Sequence, residues 1–200
     1  MDLLLSPSRP TERIGEAQMA EPPARKSLEE TWRYLEAEGE SVPRDAAGRP
    51  FVPTRMPSID DDEPLGFSYF RSRLGDADNS NLTLPRTYFG RSLLHRVSFA
   101  NTDLSESTLC WNDFIEVNFT DADLSGADLR ASLFSRVAFV RANLRNADLR
   151  RSGFEACDFT DADMAGAKLT RKQGEKLHLS DRQRNVIDWQ ESDGDEPRGG

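Results

Sequence analysis

Residues able to carry out chemistry are few in this sequence and lie far apart. The histidines are His95 and His178, and the cysteines are Cys110 and Cys157. Neither histidine has a cysteine or carboxylate partner at the spacing of a metal site or a catalytic triad. No basic residue stands directly beside Cys110 to lower the pKa of its thiol. The sequence therefore predicts a protein that is not an enzyme, with no catalytic residue, no metal site and no cofactor.

One column of carboxylates does suggest ion binding. Asp103, Asp123, Asn143 and Asp163 recur at a constant interval, so in a coil whose turn has that length they would stack and could hold a cation. The alternative is that each side chain supports a turn through hydrogen bonds to nearby backbone groups. We favour the structural role, because Asp and Asn commonly serve it.

The elements that position these residues follow from a repeat of five. A large apolar residue, Leu, Phe or Met, occupies every fifth position from Leu84 to Leu169, 18 positions without a break. Two residues before each stands a second series of mostly small residues, such as Ala122 and Ala127. Cys157 belongs to this second series, where burial would make its thiol inert.

Neither a helix nor a strand repeats at five, but a square coil does. If each unit of five forms one side of the coil and points both residues to the axis, four units make one turn. The large series supports this, since it reads Leu-Leu-Phe-Phe from position 104, from 124 and from 144. About four and a half coils at ~4.8 Å each would then make a rod only ~20 Å long.

The motif resembles that of the pentapeptide-repeat family. The family pattern A(D/N)LXX occurs as ADLSG, ADLRA, ANLRN and ADLRR from Ala122, Ala127, Ala142 and Ala147. The resemblance covers residues 82–171 and implies an all-β solenoid, a right-handed quadrilateral β-helix. The units LTLPR, TYFGR and SLLHR depart from the pattern, so we expect an irregular first coil.

The N-terminal arm, residues 1–81, is rich in proline and holds an acidic run at 60–63, so we expect it to be irregular and partly disordered. Its exception is a helix near 28–38, which Ser27 and Glu30 begin as a capping box. Because Met19 offers a second start, we expect residues 1–18 to be a dispensable tail or a misassigned start.

The C-terminal flank should close the open end of the coil. Thr170 with Gln173 and Ser180 with Gln183 are capping-box patterns, and apolar residues follow each of them. We expect a helical cap over residues 172–189 and a flexible tail over 190–200.

Charge and hydropathy limit the partners. The net charge of −9 disfavours nucleic acid, anionic membranes and acidic proteins as partners. No apolar run approaches the ~20 residues of a membrane-spanning helix, and the opening lacks the basic flank of a secretory signal. Two cysteines without disulfide spacing agree with a reducing compartment, so a cytoplasmic location is expected.

Function should then lie on outward side chains. Leu93 and Leu133 fall in one column with Asp113 between them, Ile115 lies on the same side, and Trp111 occupies the neighbouring corner. An apolar cluster on a solvated surface is typical of a protein-binding patch. We therefore predict a non-catalytic adaptor, immunity or regulatory protein whose partner is another protein; the oligomeric state is left open.

A competing interpretation is that the chain covers this cluster itself. The N-terminal helix, through Trp32 and Leu35, could fold back over it, as could the segment containing Phe67, Tyr69 and Phe70. Both interpretations hold if the arm covers the patch until a partner displaces it.

A second function is implied by the family resemblance alone. Some pentapeptide-repeat proteins resemble a DNA duplex in shape and charge, bind type II topoisomerases such as gyrase, and protect them from toxins or drugs. Here Asp103, Asp123 and Asp163 would form the acidic column. The repeat disfavours this alternative, because residues 82–171 hold 12 acidic and 11 basic residues. Four of the arginines lie on adjoining sides, namely Arg130, Arg145, Arg150 and Arg151.

Overall fold

A computed structural model describes residues 23–57 and 64–191. The expectations for residues 1–18, for the acidic run at 60–63 and for the tail beyond Glu191 lie outside the described residues. The described residues form one solenoid, with a helix packed on its first end and two short helices at its last end.

The solenoid is built from short parallel strands, which pair with the equivalent strands of adjacent turns. The strands are β1 (Ser68–Phe70), β2 (Arg73–Gly75), β3 (Tyr88–Gly90), β4 (Leu93–His95), β5 (Asp113–Ile115), β6 (Leu133–Ser135), β7 (Gly153–Glu155), β8 (Lys168–Thr170) and β9 (Asp188–Gln190). Five of them, β2-β4-β5-β6-β7, form one sheet that we call the five-strand face. The other sides of the coil are joined mainly by single bridges between equivalent positions of adjacent turns. The predicted β-helix is confirmed.

The number of coils was predicted wrongly: there are about six turns rather than four and a half. Coil geometry begins before residue 82, because Tyr69 and Leu74 extend the inward series backwards past Asn79, which interrupts its apolar character. At the other end Trp189 pairs with Leu169 and continues the stack. The first coil is also regular, since β3 and β4 arise from the very units that depart from the family motif.

Stacked side chains of one kind fill the axis. The rings of Phe114 and Phe134 lie 4.9 Å apart and nearly parallel, and Phe154 stacks next at 5.2 Å. A second phenylalanine stack runs alongside through Phe119 and Phe139. Because each large residue meets its equivalent in the coils above and below, the four-unit repeat in the sequence is the register of the core.

At each corner the chain turns through one residue with positive φ. Eighteen such residues other than glycine have φ between 50° and 63°, and Gly126 and Gly166 occupy two further corners. The corner that precedes the five-strand face, which we call the tryptophan corner, consists of Arg71, Arg91, Trp111, Ala131 and Arg151. The corner that follows this face, which we call the ion-pair corner, consists of Asp76, Arg96, Glu116, Arg136 and Ala156.

The N-terminal helix α1 (Leu28–Ala37) covers the first end of the solenoid. Ser27 and Glu30 form the capping box that the sequence indicates. Trp32 and Leu35 are each only 1% exposed, and the Trp32 ring lies 6.2 Å from that of Phe67. The end of the apolar core is thereby removed from water.

At the last end, α2 (Arg171–Gly174) and α3 (Asp181–Val186) both begin with the predicted capping boxes. Gln173 donates its amide to the carbonyls of Leu149 and Ser152, and Gln183 donates to the carbonyls of two residues in the coil beneath it. These bonds satisfy carbonyls that a further coil would otherwise use. Within residues 23–57 and 64–191, no helix is long and apolar enough to cross a membrane.

Candidate protein-binding face

The predicted patch residues all lie on or beside the five-strand face. Leu93 and Leu133 point outward in one column with Asp113 between them, as the strand register requires. Trp111 and Leu133 are 61% and 60% exposed, whereas Leu93 and Ile115 are half-buried. Ile115 ends its strand on the side of the ion-pair corner, away from Trp111. The structure thus brings Leu93 and Trp111 together and sets Ile115 apart.

The described part of the N-terminal arm does not cover this patch. Trp32 and Leu35 are buried at the end of the solenoid, together with Phe67. Tyr69 is half-buried and packs on Phe89, and its burial raises the pKa of its hydroxyl far above the ordinary value. Of the segment that could have folded back, only Phe70 is largely exposed, and it lies in β1 beside the tryptophan corner.

Trp111 occupies a backbone conformation that tryptophan rarely adopts. Its φ is 61°, in the left-handed region where a bulky side chain is strained. The other corners of the coil carry Asn, Asp, Glu, Arg, Ala or Gly. Because its ring is mostly exposed, Trp111 contributes little burial in return for this strain.

Leu133 has room on the surface because its neighbour in the next strand is glycine. A β-carbon on Gly153 would lie 3.0 Å from Leu133 Cδ2, tighter than an ordinary contact. The Leu133 side chain therefore lies over the Gly153 backbone, with its outer side facing solvent.

A groove runs along the face beside Trp111. Its walls include Arg71, Arg73, Arg91, Leu93, Trp111 and Asp113. Arg71 places its guanidinium 5.2 Å from the centre of the Phe70 ring. None of the three arginines forms an ion pair with any residue of 23–57 or 64–191. Sequence reasoning missed these arginines, although Arg71, Arg91 and Trp111 could have been read as one column with one residue per turn.

Arginines at the other corners do have acidic partners in the adjacent coil. Arg96 holds Asp76 in a two-bonded pair, and Arg136 bonds Glu116 at 2.9 Å. The hydrogen bonds from Arg96 lower the pKa of the Asp76 carboxyl. Arg141 likewise bonds Asp121 at 2.7 Å. The tryptophan corner is the one corner column in residues 64–191 that has no acidic member.

Three of the four arginines that the sequence placed on adjoining sides differ from the arginines of the groove, because each has an acidic partner. Arg130 and Arg150 each fold back on the aspartate two residues earlier, Asp128 and Asp148, at 2.7 Å. Arg145 bonds Asp163 at 3.0 Å. These three side chains are neutralised locally and form no continuous basic surface.

The acidic column supports turns. Asp103, Asp123 and Asp163 each accept a hydrogen bond from the backbone N–H two residues later, at 2.9, 3.0 and 3.1 Å. Burial opposes ionisation of Asp163, but the Ala165 N–H and Arg145 outweigh it and lower the pKa of the carboxyl. This is the turn-supporting role that the sequence favours over cation binding.

The remaining reactive groups are separate. The described residues contain no group of three or more His, Cys, Asp or Glu side chains that could hold a metal ion. Both cysteines are free, and burial raises the pKa of the Cys110 and Cys157 thiols. His95 contacts Arg96 on the five-strand face, and His178 is exposed at the last end.

Several solved structures of known proteins resemble the chain. They include HetL, a pentapeptide-repeat protein involved in heterocyst differentiation regulation from the cyanobacterium Nostoc sp. strain PCC 7120. Its match has 25% identity and a TM-score of 0.48, and it covers 50% of this chain and 48% of HetL. The chain therefore matches only about half of the length of HetL.

Two further structures show the same type of likeness. A pentapeptide-repeat protein from the Arabidopsis thaliana thylakoid lumen is 31% identical, with 57% of this chain and 72% of that chain covered and a TM-score of 0.30. QnrB1, a plasmid-mediated fluoroquinolone resistance protein, is 15% identical over 62% of this chain and 91% of that chain, with a TM-score of 0.22.

No curated protein sequence matches the chain significantly. The pentapeptide-repeat family model matches eight copies of the repeat, over residues 92–130 and 139–171. These residues include the four motif units on which the resemblance was based, apart from Ala131 at the end of the second unit. The chain therefore belongs to the pentapeptide-repeat family.

Proposed function

We propose that this protein is a non-catalytic binding protein, an adaptor, immunity or regulatory protein, that holds another protein on its five-strand face. The observation that carries the proposal is the exposure of Trp111 and Leu133 on an otherwise regular β-helix. Large apolar side chains that are exposed together contribute more to association than to folding. Trp111 adds to this, because the strain of its corner position has no evident structural benefit.

The setting we propose is the cytoplasm, where free cysteines persist as thiols. The partner is a protein rather than a membrane or a nucleic acid, because the chain has a net charge of −9 and phosphates would be repelled overall. The pentapeptide repeat supplies a rigid support, so the patch is pre-organised and binding orders few side chains.

The alternative, a mimic of DNA directed at type II topoisomerase, has less support. It depends on Asp103, Asp123 and Asp163, whose carboxylates are engaged in turns of the chain itself. Asp163 is also neutralised by Arg145. No observation on the described residues favours this function over the first.

The test compares captured partners. Wild-type protein and a Trp111→Ala, Leu133→Glu double variant are immobilised, and proteins bound from lysate of the native host are quantified by mass spectrometry. A matched control, Asn146→Ala with Ser125→Glu, makes the same types of change on other sides of the coil. Circular dichroism and Tm establish that all three are folded.

We expect a partner that wild type and control retain and the double variant binds about tenfold less or worse. Equal capture by all three proteins would refute the proposal. In that case a gyrase supercoiling assay in the presence of a poison, with an Asp103→Asn, Asp123→Asn, Asp163→Asn variant as control, examines the alternative.

A further inference from the structure

The groove beside Trp111 combines cationic and aromatic side chains in a way that specifies a partner more closely. Resting on the binding function proposed above, we propose that the tryptophan corner binds an acidic peptide segment, with its carboxylates on Arg71, Arg73 and Arg91 and an apolar side chain on Trp111 and Leu133. The occupant is thus a protein segment rich in Asp or Glu that carries at least one large apolar residue.

The first argument is that Arg71 and Arg91 have no acidic partner among the residues that the structure describes. Arg71 and Arg91 occupy equivalent positions in successive coils, whose backbones lie about 4.8 Å apart. At the ion-pair corner the same positions hold Asp76 and Arg96, which neutralise each other. Among the described residues neither Arg71 nor Arg91 has an acidic partner, so carboxylates of a bound protein can pair with both arginines without displacing an internal ion pair.

The second argument is geometric. Arg71, Arg73, Arg91 and Trp111 line one groove rather than separate surfaces. Guanidinium groups bind carboxylates through two parallel hydrogen bonds, and they also pack on aromatic rings, as Arg71 already does on Phe70. Asp113 is the acidic residue in this groove, and it sets the register by repelling carboxylates from the middle of the face.

The overall acidity of the chain does not oppose this inference. The described residues carry a net charge of only −1, although the whole chain carries −9. Exposed charges more than about 10 Å apart are largely screened at ordinary salt. A segment arriving at the groove therefore meets the local arginines rather than the net charge, and the sequence-based expectation against acidic partners does not extend to this corner.

The experiment selects peptides from a random dodecapeptide display library on full-length wild-type protein. Selected peptides are synthesised, and their affinities are measured by fluorescence anisotropy against wild type and three variants. The first is Arg71→Glu with Arg91→Glu. The second, its control, is Arg33→Glu with Arg182→Glu, which makes the same change of net charge at two distant exposed arginines. The third is Trp111→Ala with Leu133→Glu.

We expect the selected sequences to be enriched in Asp and Glu. Charge reversal of Arg71 and Arg91 should weaken binding at least about tenfold, and the control should leave it within about twofold. Replacing the acidic residues of the peptide by Asn and Gln should weaken binding similarly. Raising NaCl from about 0.05 to 0.5 M should do the same, because the contacts are exposed.

Failure of this inference is distinguishable from failure of the proposed function. Peptides that lose binding with Trp111→Ala, Leu133→Glu but not with charge reversal or salt would overturn the acidic partner and leave the binding face intact. Peptides unaffected by either variant, or no enrichment at all, would overturn both. Dimerisation in sedimentation velocity that disappears on charge reversal would assign the corner to a second copy and overturn the inference as well.

Discussion

Two corners border the five-strand face, and they differ both inside and outside the coil. Outside, the first four residues of the ion-pair corner alternate between acid and arginine. The tryptophan corner instead begins with two arginines that have no acidic partner within residues 23–57 and 64–191, followed by Trp111. Inside, the residues that follow the ion-pair corner are Ala77, Val97, Val117, Val137 and Cys157. Those that follow the tryptophan corner are Ser72, Ser92, Asn112, Ser132 and Ser152.

The polar residues behind the tryptophan corner form a ladder of hydrogen bonds from coil to coil. The N–H of Ser92 donates to Asn112 Oδ1 at 2.8 Å, and the N–H of Asn112 donates to Ser132 Oγ at 3.1 Å. Asn112 also donates its amide to the Phe89 carbonyl at 2.9 Å. No buried side-chain nitrogen or oxygen among the described residues lacks a partner. The backbone of the tryptophan corner, whose outward arginines lack ion pairs within the described residues, is therefore held in place by these inward hydrogen bonds.

At the tryptophan corner the inward side chains hold the backbone, whereas the outward side chains are those that we propose for binding. The inner ladder fixes the backbone, so the outer residues of that corner are free from structural demands. At the ion-pair corner the outer residues themselves join adjacent coils. Substitutions should therefore separate into those that affect stability and those that affect binding.

The largest effect on stability is expected from breaking the ladder at Asn112. In an Asn112→Val variant, the buried Ser92 N–H loses its acceptor and the Phe89 carbonyl loses a donor. We expect the free energy of unfolding in urea to fall by about 2–3 kcal/mol. The reciprocal change, Val117→Asn, should also destabilise, because neighbouring Val97 and Val137 offer no side-chain partner. A change below about 0.5 kcal/mol for Asn112→Val would show that the ladder does not hold the corner.

A smaller effect on stability, which should differ between the two corners, is expected from reversing the charge of one arginine. Arg96→Glu loses its bonds to Asp76 and places a like charge beside Glu116, so Tm should fall by about 1–3 °C. Arg91→Glu places a carboxylate beside Arg71, so Tm should stay or rise slightly. Differential scanning fluorimetry of both variants in low salt gives the comparison. Equal losses at both corners would mean that charge pairing does not distinguish them.

The interior of the solenoid follows from the sequence because its spacing is simple. Each unit of five has one large and one small inward residue, and equivalent units recur every four units. This pattern predicts the β-helix, its register and the stacking of phenylalanines. What the period could not give is where the coil begins, because Tyr69 and Leu74 belong to the stack while Asn79 breaks the apolar series. The coil therefore stays regular with residues that depart from the family motif, provided that the residue at every fifth position points inward.

The outer surface was only partly predictable, since side chains there are not constrained by the period. Trp111 and Leu133 stood out because large apolar residues are unusual in outward slots. Arg71 and Arg91 did not, because an exposed arginine is ordinary, and only the structure shows that no acidic side chain of the described residues pairs with either of them. The same holds for Arg130 and Arg150, whose pairing with nearby aspartates removes them as a basic surface.

A further distinction between the corners is expected in their response to pH. Arg96 lowers the folded-state pKa of Asp76, so this pair stabilises the fold above the unfolded pKa of aspartate, about 3.9. The contribution is lost as pH falls through the lowered folded pKa. The Tm of wild type should therefore exceed that of Asp76→Asn near pH 6, and the two should converge near pH 2. A difference that persists unchanged at pH 2 would assign the stabilisation to something other than the charge.

The smallest effect on stability is expected one residue from the largest, at Trp111. Replacing Trp111 by glycine relieves the strain of its positive φ, but glycine loses more conformational entropy on folding. These terms oppose each other, and the mostly exposed ring contributes little burial, so the free energy of unfolding should change by less than about 1 kcal/mol. Binding of the partner should nevertheless weaken at least about tenfold, as for other aromatic anchors. A loss of stability comparable to that of Asn112→Val would instead make Trp111 part of the fold, and the tryptophan corner would then be no more functional than the ion-pair corner.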